Sequence, residues 1–256
     1  MNRIITGISL AIILSLALWS LSSHASRQIE AQPKTSQVQS ASYVIFIDGA
    51  TVSARNGTTG AIEIQGNADY VINNAIGNTT SGLIFLRSGI YNVGNTINLK
   101  SHLTLKSESI ADANFPNKGT VLKAKSSLSG PVIYGTLINS TILESLSVNG
   151  NKPNTTLLSG SYGIHINRSI RSQLINVVVF NSRYHNILFD GAGSIQNILI
   201  RVNSRAANGD GIRLSQNSDF LITESEIGSN EGNGITITSG GAGEISSNNI
   251  YQNTDG

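Results

Sequence analysis

The stretch NGDGIRLSQNSDF, Asn208 to Phe220, decides the fold. At its centre GIRLS places a glycine ahead of two apolar residues that alternate with polar ones, the pattern of a strand buried on one face. The same unit occurs upstream as GIHIN and NILFD and downstream as GITIT, which puts isoleucine at 164, 187, 212 and 235, at intervals of 23, 25 and 23 residues. A second marker, an apolar residue three positions before an asparagine, recurs as LSVN, VVFN, IRVN, IGSN and IYQN, ending at Asn149, Asn181, Asn203, Asn230 and Asn253. Short alternating strands, polar turns and a coil length in the low twenties describe a parallel β-helix rather than a hairpin sandwich. Leucine-rich repeats share the period, but their L-x-x-L-x-L framework and helix are missing.

Such a solenoid accounts for the composition. Charged residues make up 12% of the chain, there are 26 glycines, and asparagine, serine and threonine are abundant, a mixture that favours strands and turns over helices. Each coil is expected to bury Ile or Leu pairs, to stack on the next at about 4.8 Å, and to turn its corners with Gly, Asn and small polar residues. Asparagines at one corner of successive coils are expected to form a side-chain ladder. No cysteine is present, so stability must come from a continuous core. Ahead of the repeats, YVIFID, AIEIQG, GLIFLRSGIYNV, NTINLKSHLTLKSES and TVLKAK read as strands, and NADYVINNAIGN reads as a short helix capped by Asn67 or Asp69. The class is all-β: a right-handed parallel β-helix with a short N-terminal capping helix.

Residues 1–25 read as a secretory signal peptide: Arg3 gives the positive start, Ile4 to Leu21 the apolar run, and Ser23-His24-Ala25 the small-x-small cleavage pattern. The run is also long enough to serve as an uncleaved membrane anchor. Residues 26–42 form a polar, flexible linker, and 43–256 the β-helix domain. The chain stops at Asp255-Gly256, where the period calls for another GI strand, which reads as a domain incomplete at its C-terminus. Without the leader the chain holds 16 basic and 15 acidic side chains. That near neutrality excludes nucleic acid as a partner, since phosphate neutralisation needs a basic face. The expectation is a secreted monomer with no membrane contact beyond the N-terminal anchor.

GLIFLRSGIYNVGNTINLKSHLTLKSES followed by TVLKA resembles the opening of the pectate-lyase-like right-handed β-helix proteins. SLSVNGNKPNT, residues 145–155, is similar to their D-x-D/N-G-N coil, and NGDGIRL to their repeat units. The resemblance spans residues 43–256 and implies the fold. It also implies carbohydrate chemistry, since members include polysaccharide lyases, glycosidases, uronate epimerases and depolymerases, along with inert surface proteins. The coil spacing looks most like that of the mannuronan C5-epimerases. Of their Tyr-Gly-Phe/Ile-Asp-Pro-His and Asp-Gly signatures, Tyr184 and Asp210 match, whereas Ile187 stands in place of the Asp and the Pro-His is gone. Polygalacturonase signatures are not found.

If the repeated isoleucines point inward, alternation sends His165, Asp190 and Arg213 outward, with Tyr162, His185 and Asp210 at the corner two residues ahead. Six of the nine arginines beyond the leader lie between Arg168 and Arg213, and no acid occurs from Ser145 to Phe189. An acidic, uronate-containing polysaccharide suits that face. Arginine forks would bind and neutralise its carboxylate, and a base would remove the C5 hydrogen in a β-elimination. His185, Tyr184 and Arg213 are the candidate bases, with Asp210 beside them. His165, Tyr162, Arg183 and Arg205 are the candidate substrate-binding residues. Asp190 and Asp210 are candidate ligands for Ca²⁺, the one cofactor considered, and the nearby carboxylate pair for a hydrolysis. Against this stands a plainer reading, in which Asp210 is a corner residue accepting backbone hydrogen bonds and the protein is a non-catalytic glycan-binding or cell-surface β-helix.

Overall fold

Residues 41–111, 118–155 and 160–255 are described by the structure, a computed structural model. The segment read as a signal peptide, and all but the last two residues of the segment read as a linker, lie outside them. Three strands recur in each coil because three short apolar alternations recur in each repeat. The first set forms a ten-stranded sheet that includes β7 (Leu103–Ser107), β10 (Ile142–Glu144), β13 (Gln173–Ile175), β17 (Ile198–Ile200) and β21 (Phe220–Thr223). The second forms a seven-stranded sheet with β8 (Thr120–Ala124), β11 (Ser147–Asn149), β14 (Val178–Phe180), β18 (Asn203–Arg205) and β22 (Glu226–Gly228). The third forms a six-stranded sheet with β9 (Ile133–Thr136), β12 (Ile164–Asn167), β15 (Ile187–Asp190), β19 (Ile212–Ser215) and β23 (Ile235–Thr238). The chain visits the three in turn and pairs parallel with the preceding coil each time, giving a right-handed parallel β-helix.

Register confirms the first sequence marker. Ile133, Ile164, Ile187, Ile212 and Ile235 stack in one file. Leu105, Leu143, Leu174, Leu199 and Ile222 form another on the ten-stranded sheet. All but Ile235 are buried, and the two files meet in one continuous core. The second marker fails as a corner marker. Asn149 is in register with Phe180 and Arg205, and Asn203 with Val178, so only Asn230 and Asn253 share a station. There the expected ladder exists, with Asn230 Nδ2 donating to Asn253 Oδ1 at 2.9 Å.

The corners also differ from expectation. Ser145, Asn176, Arg201, Glu224 and Ser247 occupy the same bend between the first and second sheets, each with φ between 52° and 56°. Leu137, Arg168, Gln216 and Ser239 take the bend after the six-stranded sheet, with Gly191 among them. Left-handed backbone costs a non-glycine residue about 1 kcal/mol. It persists because the ladder runs through the bend: the N–H groups of Ser145, Asn176 and Arg201 each donate to the next coil's carbonyl, at 3.0, 2.9 and 3.2 Å. Glycine was expected at corners for its backbone freedom, but Gly209 and Gly211 have no such φ and are required for space. A Cβ on Gly211 would lie 2.6 Å from Ile227 Cγ2.

The N-terminal end is closed by an antiparallel meander, β1 (Tyr43–Asp48), β2 (Thr51–Asn56) and β3 (Ile62–Gly66), of which β2 was not anticipated. Helix α1 (Ala68–Asn78) buries Val71, Ile72, Ala75 and Ile76 over the open core. Asn67 stands at its N-cap but makes no side-chain cap, and the Asp69 carboxylate instead accepts from Asn95 Nδ2 at 2.6 Å. Beyond α1, β4 (Gly82–Leu86) joins the ten-stranded sheet beside β1.

Candidate functional site

The outward side chains of the six-stranded sheet form rows across the coils. Tyr134, His165, Leu188, Arg213 and Thr236 make one row, and Thr136, Asn167 and Asp190 the next. Tyr162, His185, Asp210 and Asn233 occupy the corner that feeds these strands, with Tyr184 just before His185.

Five rings touch in sequence on this face. Tyr134 lies 5.1 Å from His165, which lies 5.0 Å from Tyr162. Tyr162 meets Tyr184 at 5.5 Å and stacks on His185 at 5.9 Å and 19°, and Tyr184 and His185 are 4.0 Å apart. Such distances suit aromatic pairs; Tyr134–His165 and the contacts of Tyr162 with Tyr184 and His185 join adjacent coils at about the rise between them, and His165–Tyr162 and Tyr184–His185 link rings within a coil. Tyr184 is the exposed member at 38%, and His185 is buried at 4%. Burial raises the Tyr162 phenol above its usual range, and the neighbouring Tyr184 and Asp190 add to the effect.

His185 and Asp210 form the buried half of the site. The backbone N–H of Asp210 donates to His185 Nδ1 at 2.8 Å, which leaves the imidazole proton on Nε2. Burial pushes the His185 pKa down to about 4, and Arg213 contributes to the fall although Asp210 opposes it, so the ring is neutral at neutral pH. Its Nδ1 lone pair is already engaged, and the geometry therefore fits a positioning role better than that of a base. The Asp210 carboxylate accepts from the Asn233 N–H at 3.0 Å and from Arg213 Nη1 at 3.0 Å. Burial alone would raise its carboxyl, but the Asn233 N–H, His185 and Arg213 outweigh it and hold the group below the usual carboxylate range. This is the clasp of a corner residue, with Arg213 as its outward partner.

Asp190 Oδ1 accepts from Asn167 Nδ2 at 2.7 Å and contacts His165 Nε2 at 2.9 Å. Those two partners hold its carboxyl low against the opposing effect of burial. Asp190 does not join Asp210. It is held by His165 and Asn167, while Asp210 is held by Asn233 and Arg213, and the two carboxylates share none of these partners. Among the described residues no three His, Cys, Asp or Glu side chains cluster as metal ligands.

The structure thus brings together Tyr162, His165, Tyr184, His185, Asp210 and Arg213. Arg183 sits at the same corner, its Nε buried and unpaired among the described residues. Arg205 is elsewhere. It projects from β18 on the seven-stranded sheet, paired with Glu226 and 5.8 Å over the Tyr251 ring. Its place in a run of arginines suggested a shared face, but the fold turns a corner between Arg205 and Arg213. Sequence reasoning missed Tyr134, which opens the ring series. Ile133 lies 31 residues before Ile164 rather than 23 to 25, so its coil falls outside the visible repeat.

No family model matches the sequence, and neither does any curated protein. Among solved structures the chain is similar to ORF18 of Geobacillus virus E2, with a TM-score of 0.53 and 11% identity over 78% of this chain and 48% of that one. It is also similar to the catalytic domain of a GH87 α-1,3-glucanase in complex with tetrasaccharides, with a TM-score of 0.51 and 16% identity over 72% of this chain and 37% of that one. The chain spans less than two thirds of either relative. What the chain shares with these structures is the fold, a right-handed parallel β-helix.

Proposed function

We propose that the protein binds a polysaccharide along the outer face of its six-stranded sheet. The observation that carries this reading is the contact series of Tyr134, His165, Tyr162 and Tyr184 on adjacent coils, with the buried His185 packed behind it. Sugar rings have apolar faces that stack on such surfaces, and the flanking Arg213, Asp190 and Asn167 offer polar partners for hydroxyl and carboxylate groups. The glucanase similarity, in a structure that holds tetrasaccharides, agrees with a fold suited to glycans. The leader read over residues 1–25 would deliver the protein outside the cell, where such polymers occur. Affinity electrophoresis through gels containing alginate, pectate or neutral β-glucan tests the reading. At least one polymer retards the protein, and Tyr162→Ala with Tyr184→Ala weakens that retention at least tenfold. Unchanged retention in the double variant overturns the assignment of the face.

A second reading is β-elimination on a uronate polymer, favoured by the exposure of Tyr184, which follows Arg183 in the chain at the corner where Arg213 meets Asp210. In that reaction Tyr184 takes the C5 hydrogen as base, arginine neutralises the carboxylate, and the C4–O bond breaks as the C4–C5 double bond forms, the proton taken by Tyr184 passing to the departing oxygen. Unsaturated products absorb in the near ultraviolet, and Tyr184→Phe abolishes them while binding persists. A bound polymer that gives neither these products nor new reducing ends leaves the binding function standing. Altered uronate stereochemistry by proton NMR, without cleavage, would mark an epimerase instead.

A further inference from the structure

A second concave site lies on a different sheet, at the N-terminal end of the solenoid. A cavity of about 530 Å³ opens on the outer side of β1 and β4, with Val44, Phe46 and Ile47 as its apolar wall and Arg55, Arg87 and Glu108 as its charged groups. Phe46 and Val44 alternate with the buried Ile45, so their outward direction follows from the strand's own period. The charges are unevenly matched. Arg87 Nε lies 3.3 Å from Glu108 Oε2, and the Ser88 N–H donates to that same oxygen at 2.9 Å. The Ser88 N–H, with Arg87 behind it, keeps the Glu108 carboxyl below its usual range and therefore ionised. Arg87 is thus neutralised, while the Glu108 hydrogen bonds among the described residues go to Oε2, which leaves Oε1 to accept from a donor. Arg55 has no carboxylate partner among the described residues. Its guanidinium stands 5.4 Å over the Phe46 ring, which holds the cation in place by a cation–π contact.

We propose that this cavity holds a carboxylated sugar unit, a hexuronate, with its carboxylate on Arg55, a hydroxyl donating to Glu108 Oε1, and an apolar ring face against Val44 and the free edge of the Phe46 ring. Each requirement corresponds to a group on the page: one spare cation, one spare acceptor and an apolar wall, the usual composition of a small-ligand site. A phosphate fits less well, because its second charge has no cation to meet and would face Glu108. The site is independent of the ring-bearing face, since none of its residues lies on the six-stranded sheet.

Calorimetric titration of the full chain with sodium glucuronate, glucose and inorganic phosphate at matched ionic strength tests this. Glucuronate binds saturably, glucose and phosphate do not, and Arg55→Gln weakens glucuronate binding at least tenfold. Arg55 is exposed, so its replacement leaves the fold intact, as an unchanged thermal melt verifies. Tyr162→Ala leaves glucuronate binding unaltered, which separates this site from the face that would bind polysaccharide. Absence of glucuronate binding, equal binding of glucose, or an Arg55→Gln affinity equal to wild type overturns the proposal.

Discussion

Acid should destabilise this protein through a single imidazole before any carboxylate titrates. His185 is buried at 4% exposure, and its folded pKa is pushed down to about 4 from an ordinary 6.5, chiefly by burial. As pH falls through 6.5 the unfolded chain takes up a proton that the folded chain refuses, and this continues until the folded pKa is reached. Stability therefore drops by up to about 1.4 kcal/mol per pH unit across that window, about 3 kcal/mol in all. Asp190 and Asp210 do not confuse the measurement. Their folded pKa values are depressed, so their contribution is present above the unfolded carboxylate value of about 4 and is lost only as pH falls through the folded one. The perturbation is His185→Asn, which sets an amide oxygen near the place of Nδ1 to accept the Asp210 N–H and removes the titration. Urea unfolding followed by circular dichroism from about pH 7 to about pH 4.5 should show the parent losing about 2 kcal/mol more than the variant. Curves that run parallel within about 0.5 kcal/mol would refute the assignment of a neutral, buried His185.

A packing exchange gives another test. Gly163, Gly211 and Gly234 lie under the bulk of Val179, Ile227 and Ile250, but at the equivalent station Asn186 meets Ser204, with Nδ2 donating to Ser204 Oγ at 3.1 Å. Ser204→Val should cost about 2–4 kcal/mol by overpacking and by removing that acceptor, and the double variant Asn186→Gly/Ser204→Val should recover most of it; additive losses in urea unfolding would sink the idea. Asp210→Ala leaves the Asn233 N–H without its acceptor and Arg213 without its anion, so a loss of about 2–3 kcal/mol is expected by the same method, against little change if Asp210 served chemistry alone. Arg205→Ala should leave polysaccharide retention within about twofold of the parent, because its guanidinium belongs to Glu226 on another sheet; a tenfold loss would place the binding face there instead.

The strands were legible because a buried file imposes a strict period. A one-residue slip would turn Ile164, Ile187 and Ile212 to solvent, so each coil must repeat the GI-x-apolar unit. The corners were not legible. Arg168, Arg201 and Gln216 hold left-handed backbone that neither composition nor propensity assigns to them, because what sustains the conformation is a hydrogen bond to the next coil rather than the residue itself. An argument from Gly and Asn therefore located turns in the right regions for a reason that applies at few of them. Gly211 shows the difference most clearly, being needed where Ile227 approaches and not for its φ.

The candidate site was half legible for a related reason. Alternation correctly set His165 and Arg213 on one outward row, but it carries no information about sheet changes, so Arg205 was gathered in with them although a corner stands between. Tyr134 was lost to a longer coil. Residues after Asn149 lengthen that interval to 31, and a fixed period cannot follow it. The ring series nevertheless needs Tyr134, since His165 sits between it and Tyr162. The repeat is also broken at NILFD, where Asn186 replaces the usual glycine, and there the next coil answers with Ser204 in place of Val or Ile. Asn186 follows directly on Tyr184 and His185, and its buried amide holds the Arg205 carbonyl at 2.9 Å and the Ser182 N–H at 3.2 Å. The departure from the repeat thus fixes the backbone on both sides of the site's two central rings, which ties the irregular coil to the face that carries them.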